Sequence, residues 1–324
     1  MGWSSYPPEH KRSFFRAVTL YAAMVAAVSI WVWLRSDMAL EDWKARVPHA
    51  AADIRTVYVT PQTAQVKPFT GDSTLPPPGE GEGYISIIMT DIGISNHATE
   101  RALDDLPPPV VLAFSPYARQ LDMWLKKAAG ARRESLILLP MEPSTYPKDD
   151  PGPAALLSRL SDKENNARLE RVLAKSEGAL GAMNFMGSGF LADDRNTRPV
   201  FDALRSRHAN MLFVEAPTHA GAGSAAETAK AAGIPYLAAD MHLDANATEL
   251  AIKKQLLDLE NLAHKRGYAV AIAQPYPVTF NILKDWAESL DRRGIKLVPL
   301  TAVLKTKVQH DKAAPQQEQT QPQQ

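Results

Sequence analysis

Several polar side chains that could do chemistry come directly after short apolar segments of the chain. Carboxylates, amides and an imidazole can hold a divalent metal ion or hydrogen-bond a polar ligand. The sequence contains no Cys, which excludes disulfides and thiolate metal sites. The residue types and their spacing therefore predict an acidic, polar rim at the ends of these segments, but they do not specify a reaction. The rim residues are Asp91, Glu142, Asn184, Glu215, Asp240, His242, Asp244 and Gln274.

Short catalytic motifs are missing from the sequence. It has no HExxH or comparable pair of histidines, no GxSxG nucleophile elbow and no P-loop. The rim residues also have structural interpretations, since Asp91 and Asp244 stand where a carboxylate can cap a helix or a turn. Glu142 can fix a loop, Gln274 can satisfy loop backbone groups, and His242 can simply be packed.

The segments that must position these residues are apolar stretches that alternate with helical patterns. Continuously apolar strands are typical of a parallel sheet that is covered on both faces. The predicted strands are residues 84–90, 110–115, 135–140, 181–185, 211–215, 236–240, 269–273 and 296–300. The predicted helices are residues 97–106, 119–129, 162–176, 197–208, 225–232, 247–266 and 279–293.

This alternation predicts an α/β fold. The best match is a deformed parallel β/α barrel that can be incomplete, and a doubly wound open sheet is the alternative. In both architectures ligands bind at the carboxyl ends of the strands. The rim residues follow the predicted strands, so we expect them to converge on one mouth.

The order of motifs along the chain resembles that of the divergent polysaccharide deacetylase family. The resemblance covers residues 84–303 and rests on ISIIMTDIG, LILLPMEP with YPKDDPGP, GAMNFMGSGF, LFVEAPT and IAQPYP. It implies a deformed β/α barrel related to metal-dependent carbohydrate esterases. In such enzymes one Asp acts as the base, and another Asp and two His hold a divalent metal. The metal lowers the pKa of a bound water, which then attacks the acetamide.

Several positions of this chain depart from the family pattern. The family usually reads IDDLG where this chain reads MTDIG, so Asp91 matches the metal-binding Asp and Thr90 replaces the base. Phe185 and Gln274 stand where the family's NHMGS and GHPYP blocks have His. A hydroxyl, a phenyl ring and an amide cannot supply the base and the imidazole ligands. The resemblance therefore implies impaired or absent hydrolysis, with no residue assigned as catalytic.

The resemblance to the family also suggests which residues could bind a metal ion or a substrate. Glu215 stands for an Asp of the family, and His242 stands where the family tends to have an aromatic residue. Asp91, Glu215, His242 and Asp244 could form a relocated metal site, but we expect no cofactor, or a divalent metal such as zinc if activity survives. The residues expected to contact a substrate are Glu142, Asn184, Ser188, Glu215, Gln274 and Tyr276.

Composition argues against nucleic acid as a partner. Lys and Arg number 36, Asp and Glu also number 36, and the formal net charge is +0. A nucleic-acid-binding domain would carry a basic excess. The 324 residues allow one large domain or two small ones, and a hydrophobic fraction of 45% is ordinary for a globular core.

The amino-terminal region predicts a membrane anchor. Residues 17–34 carry no charge, and as a helix they would span about 27 Å of a hydrocarbon core of about 30 Å. Lys11, Arg12 and Arg16 precede them and favour a cytoplasmic amino terminus. A cleaved signal peptide is the alternative, but the following WLRSDM offers no convincing small-x-small site.

These observations divide the chain into five expected parts. They are a cytoplasmic segment at 1–16, the anchor at 17–34, a juxtamembrane segment and Pro/Gly linker at 35–83, the deacetylase-like domain at 84–304, and a disordered Gln-rich tail at 305–324. We expect a single-pass inner-membrane protein acting in carbohydrate or envelope metabolism, with an envelope glycan or protein as partner. The alternatives are an active metal-dependent N-deacetylase with a relocated metal site and a non-catalytic structural envelope protein.

Overall fold

The structure, a computed structural model, describes residues 75–79, 81–207, 211–218 and 225–317. The predicted anchor at 17–34 lies outside these residues, as do most of the predicted linker and residues 318–324. Within the described part of the chain, no helix is both long enough and apolar enough to cross a bilayer.

Nine parallel strands form one sheet within the described residues. The strand order is β6-β5-β4-β3-β2-β1-β8-β7, and β9 also pairs with β1. Every ladder is parallel, as predicted from the continuously apolar segments. The strands are β1 (Gly83–Ile92), β2 (Val111–Phe114), β3 (Ser135–Met141), β4 (Gly181–Met186), β5 (Leu212–Glu215), β6 (Tyr236–Ala238), β7 (Met241–His242), β8 (Tyr268–Ala273) and β9 (Ile295–Leu297).

Helices connect most of the strands, and local sequence signals fix several of their ends. The Ser95 side chain accepts from the Ala98 amide at the start of the first helix, and Gly267, with φ 84, ends the sixth. The helices are α1 (Asn96–Asp104), α2 (Leu121–Gly130), α3 (Asp162–Leu173), α4 (Asp194–Arg207), α5 (Ala225–Ala232), α6 (Glu249–Arg266), α7 (Pro277–Ala287) and α8 (Leu300–Gln317).

Two residues between β6 and β7 form hydrogen bonds to strands near the two ends of the sheet. The Ala239 amide donates to the Glu215 carbonyl of β5 at 2.8 Å, and the Asp240 amide donates to the Val270 carbonyl of β8 at 2.7 Å. Consecutive residues thus bond to strands near opposite ends of the sheet, so the sheet must curl until those ends approach. The fold is therefore a curled parallel half-barrel, and the doubly wound open sheet is ruled out.

Alternate residues of the strands face two different apolar clusters. Ile87 and Met89 of β1 belong to a cluster that contains the packed faces of the surrounding helices, whereas Ile88 belongs to a cluster inside the curl. Leu300 and Val303 of α8 join this inner cluster. The curled sheet is thus filled by its own side chains and by the last helix, which leaves the opposite mouth for a site.

The carboxyl-terminal segment corrects one prediction. We predicted a strand over 296–300 and disorder from residue 305, but β9 ends at Leu297 and α8 continues to Gln317. The first turns of α8 bury Leu300 and Val303, and this packing starts a helix that its polar sequence alone does not predict. Lys307 and Asp311 then form an ion pair at 2.7 Å across one turn of the helix.

The end of the predicted linker also packs on the domain. Leu75 contacts the inner cluster, and the Tyr84 hydroxyl donates to the Pro76 carbonyl at 2.5 Å. The folded unit therefore begins before residue 84.

Candidate functional site

The carboxyl ends of the strands surround a cavity of ≈ 460 Å³. Its apolar lining includes Leu138, Met183 and Ile272, which belong to the cluster inside the curl. The cavity therefore opens directly above the inner core, at the mouth where the sequence places the site.

Asp91 reaches this cavity from an unusual backbone conformation. The register of β1 against β2 shifts between Met89 and Ile92, and Asp91 has φ 56, in the left-handed region that few non-glycine residues adopt. The Thr90 hydroxyl lies 3.0 Å from Asp91 Oδ2 and 3.3 Å from the Ala273 carbonyl oxygen. Burial raises the pKa of Asp91, and the hydrogen bond from Thr90 partly offsets that effect.

Phe185, Gln274 and His242 line the same cavity. Phe185 packs against the inner cluster, and Gln274 continues β8 with its backbone amide bonded to Asp244. His242 Nε2 lies 3.3 Å from the Pro217 carbonyl oxygen. Of the rim residues predicted to converge on one mouth, Asp91, Asn184, His242 and Gln274 line this cavity.

Asn184 and Ser188 also line the cavity, but both side chains are hydrogen-bonded to backbone groups beside it. Asn184 is 1% exposed; its Oδ1 accepts from the Ala216 amide at 2.7 Å, and its Nδ2 donates to the Met186 carbonyl at 2.7 Å. Ser188 Oγ accepts from the Ser144 amide at 2.9 Å. Asn184 therefore fixes the ends of β4 and β5 and has little capacity left for a ligand.

Glu142 takes the structural role that we gave as its alternative. Its carboxylate accepts from the Ser158 amide at 2.6 Å and from the Ser158 hydroxyl, and its carbonyl accepts from the amides of Gly189 and Phe190. Glu142 is not part of the cavity lining. It joins two loops, and its expected contact with a substrate stays a prediction.

Glu215, Asp244 and Tyr276 are not part of the cavity lining either. Glu215 is 8% exposed and accepts from the Tyr236 hydroxyl at 2.5 Å, and burial raises the pKa of its carboxyl. Asp244 is 4% exposed, and burial likewise raises its pKa. Tyr276 is 39% exposed and precedes α7 as its N-cap residue.

The comparisons with known proteins decide the family. The family model for divergent polysaccharide deacetylases matches residues 87–304. This chain belongs to that family. Protein YibQ of Escherichia coli K12 is 27% identical over 230 residues, which are 68% of this chain and 67% of YibQ. A crystal structure of an uncharacterized protein from Agrobacterium tumefaciens C58 is 31% identical, with TM-score 0.65 over 73% of this chain and 98% of that one.

A Haemophilus influenzae protein is a further relative of this chain. It is 28% identical over 213 residues, which are 64% of this chain and 72% of that protein. The family match over residues 87–304 covers the curled half-barrel described above, so the fold and the family assignment agree.

The residues present do not fit the metal that the deacetylase fold implies. Asp91 and His242 line the cavity, whereas Glu215 and Asp244 lie outside it and bond to other groups. In the part of the chain that the structure describes, no group of three or more His, Asp or Glu side chains is arranged to hold a metal ion. The relocated site built from these four residues is therefore not assembled.

Sequence reasoning missed several lining residues in loops. Asp149 belongs to the YPKDDPGP block, and Pro217 and Thr218 follow β5. Ser144 and Thr145 precede that block in the loop after β3. The strand-end rule selects only residues next to strands, and these side chains reach the mouth through loop folding.

Proposed function

We propose that this chain is a membrane-anchored periplasmic protein whose deacetylase-like domain binds a cell-envelope glycan without hydrolysing it. One observation carries the proposal: Thr90, Phe185 and Gln274 all line a cavity at the strand ends. The sequence resemblance matches these three residues to the family's base and two imidazoles. In these positions a hydroxyl, a phenyl ring and an amide provide neither the family's base nor its imidazole ligands for a metal that would activate water.

The lining suits a sugar. Sugars present apolar ring faces and hydroxyl groups together, and the cavity offers apolar side chains beside polar ones. The Gln274 carboxamide has no hydrogen-bond partner among the residues that the structure describes. It can donate to and accept from a ligand at the same time. Phe185 supplies an aromatic surface in the same cavity.

The proposed location rests on the amino-terminal sequence. Residues 17–34 have the length and apolar character of a single membrane span, and Lys11, Arg12 and Arg16 stand on its amino-terminal side. This arrangement supports a periplasmic domain, where envelope glycans are accessible.

Calorimetric titration of the full-length protein with N-acetylated chito-oligosaccharides and peptidoglycan fragments tests this proposal. We expect saturable binding, about tenfold weaker in Gln274→Ala and Phe185→Ala, with no acetate released. Lys253→Ala is the control, because Lys253 lies on α6, pairs with Glu249 and is not among the residues that line the cavity. Failure of every glycan to bind would contradict the proposal and favour a structural role in the envelope.

A further inference from the structure

The charges around the cavity are unbalanced. Asp91 and Asp149 line it, and its described lining contains His242 but no Lys or Arg. A cleft with low-dielectric walls and carboxylates of one sign attracts cations and disfavours anions. Envelope glycans that carry carboxylate or phosphate groups near the bound sugar are therefore poor candidates for this mouth.

Asp91 has unused capacity to bind a cationic donor. A carboxylate has about four acceptor positions. Among the described residues, the Asp91 carboxylate accepts a single hydrogen bond, from the Thr90 hydroxyl at 3.0 Å. No Lys or Arg lines the cavity with Asp91 in the part of the chain that the structure describes. A partly desolvated carboxylate without a cationic partner gains most from a ligand that brings the missing positive charge.

A metal ion is poorly suited to be the cationic partner that Asp91 lacks. Divalent cations take several protein ligands in defined geometry, and the described residues offer no such group around Asp91. An organic ammonium needs only one carboxylate and neighbouring acceptors. It also gains from an aromatic ring, and Phe185 lines the same cavity.

We propose that the bound glycan carries a protonated amine and that this ammonium pairs with Asp91. The inference rests on the proposed glycan binding and names the chemical class of the sugar, an amino sugar that has lost its N-acyl group. An intact acetamide is neutral and can give Asp91 only an uncharged hydrogen bond, which is weaker than a charge-assisted one. In reaction terms, the ligand is the product of a deacetylation step and must be supplied by an active deacetylase.

Paired titrations of the full-length protein test this inference. The probes are tetraglucosamine and its fully N-acetylated counterpart, at about pH 6, where an amine beside electron-withdrawing groups, with a pKa of at most about 8, is mostly protonated. We expect tetraglucosamine to bind at least tenfold more tightly. Asp91→Asn should abolish that preference, and Asn suits the test because it tolerates the left-handed conformation at φ 56.

The outcomes separate the inference from the proposed function. Equal or tighter binding of the N-acetylated probe, or an undiminished preference in Asp91→Asn, overturns the amine inference while glycan binding stands. Binding of neither probe overturns both. Asp258→Asn on α6 controls for a general loss of negative charge, because Asp258 pairs with Lys254 outside the cavity lining, and it should leave the preference unchanged.

Discussion

The carboxylate of Asp244 accepts a hydrogen bond of 2.8 Å from the backbone amide of Gln274. Gln274 is the residue that the sequence resemblance matches to an imidazole of the family, and Asp244 was a candidate ligand for a relocated metal. A second hydrogen bond of 2.8 Å comes from the Thr279 hydroxyl. Asp244 therefore holds the segment between β8 and α7 that presents Gln274 to the cavity.

Replacing Asp244 by Ala should destabilise the domain by about 2–4 kcal/mol. The change leaves the Gln274 amide and the Thr279 hydroxyl without their acceptor in a buried setting, where each unsatisfied donor costs about 1–3 kcal/mol. Chemical denaturation measures this loss. Asp258→Ala is the matched control, because its exposed ion pair with Lys254 should contribute less than about 1 kcal/mol. A loss no larger than that of the control would show that Asp244 does not hold the loop.

The close packing of β4 on β5 gives a prediction about the fold. A Cβ at Gly181 would lie 2.3 Å from the Leu212 carbonyl oxygen, so Gly181→Ala must move a strand and should cost about 1–3 kcal/mol. Gly130→Ala is the control, because nothing lies within 4 Å of a Cβ there and Ala favours the end of α2 by up to about 1 kcal/mol. Thermal unfolding of the two variants checks both signs. Similar melting temperatures for the two would contradict the contact at Gly181.

Much of the fold follows from the sequence, because apolar segments and helix periodicity are local signals. The prediction located all eight strand segments and all seven helices, with shifted ends. It missed β7, whose two residues count as a strand only through pairing with β8 across the curl. It also missed α8, since the burial of Leu300 and Val303 depends on the completed interior. Such long-range pairing leaves no local trace.

The site was predicted less well. The rule that ligands bind at the carboxyl ends of strands identifies the edge of the sheet, but it does not say to which face each side chain points. Residues two apart on a strand share a face. Phe213 belongs to the helix-side cluster, so Glu215 points away from the interior, and Tyr236 stacks on Phe213 beside it. Met183 belongs to the inner cluster, and Phe185 accordingly faces the cavity. Counting this alternation along each strand would have separated the two cases.

The Glu215 carboxyl should make stability depend on pH. Burial raises its pKa above the ordinary value of 4.5, so its contribution is fully present below the unfolded pKa and is lost as pH rises through the folded pKa. Glu215→Gln removes this titration and keeps an acceptor for Tyr236. The melting temperature of the variant should therefore increase relative to that of the wild type as pH rises from about 4 to about 8. A constant difference across this range would be incompatible with the raised pKa.

Restoring the family residues should restore metal binding. Thr90, Phe185 and Gln274 all line the cavity with Asp91, so the triple change Thr90→Asp, Phe185→His and Gln274→His places two imidazoles and two carboxylates around it. We expect the triple variant to hold about one zinc ion per chain. Elemental analysis after dialysis measures it, with Gln274→His alone as the control that should retain little. Equal zinc in the triple variant and the control would refute the matching of these positions.

The central claim is that this cavity binds a glycan but does not hydrolyse its acetamide groups. The most direct measurement incubates the full-length protein with N-acetylated chito-oligosaccharide and added zinc, and quantifies bound oligosaccharide and released acetate in the same sample. The account predicts saturable binding with acetate no higher than in a protein-free blank. Acetate release that a chelator abolishes would contradict it.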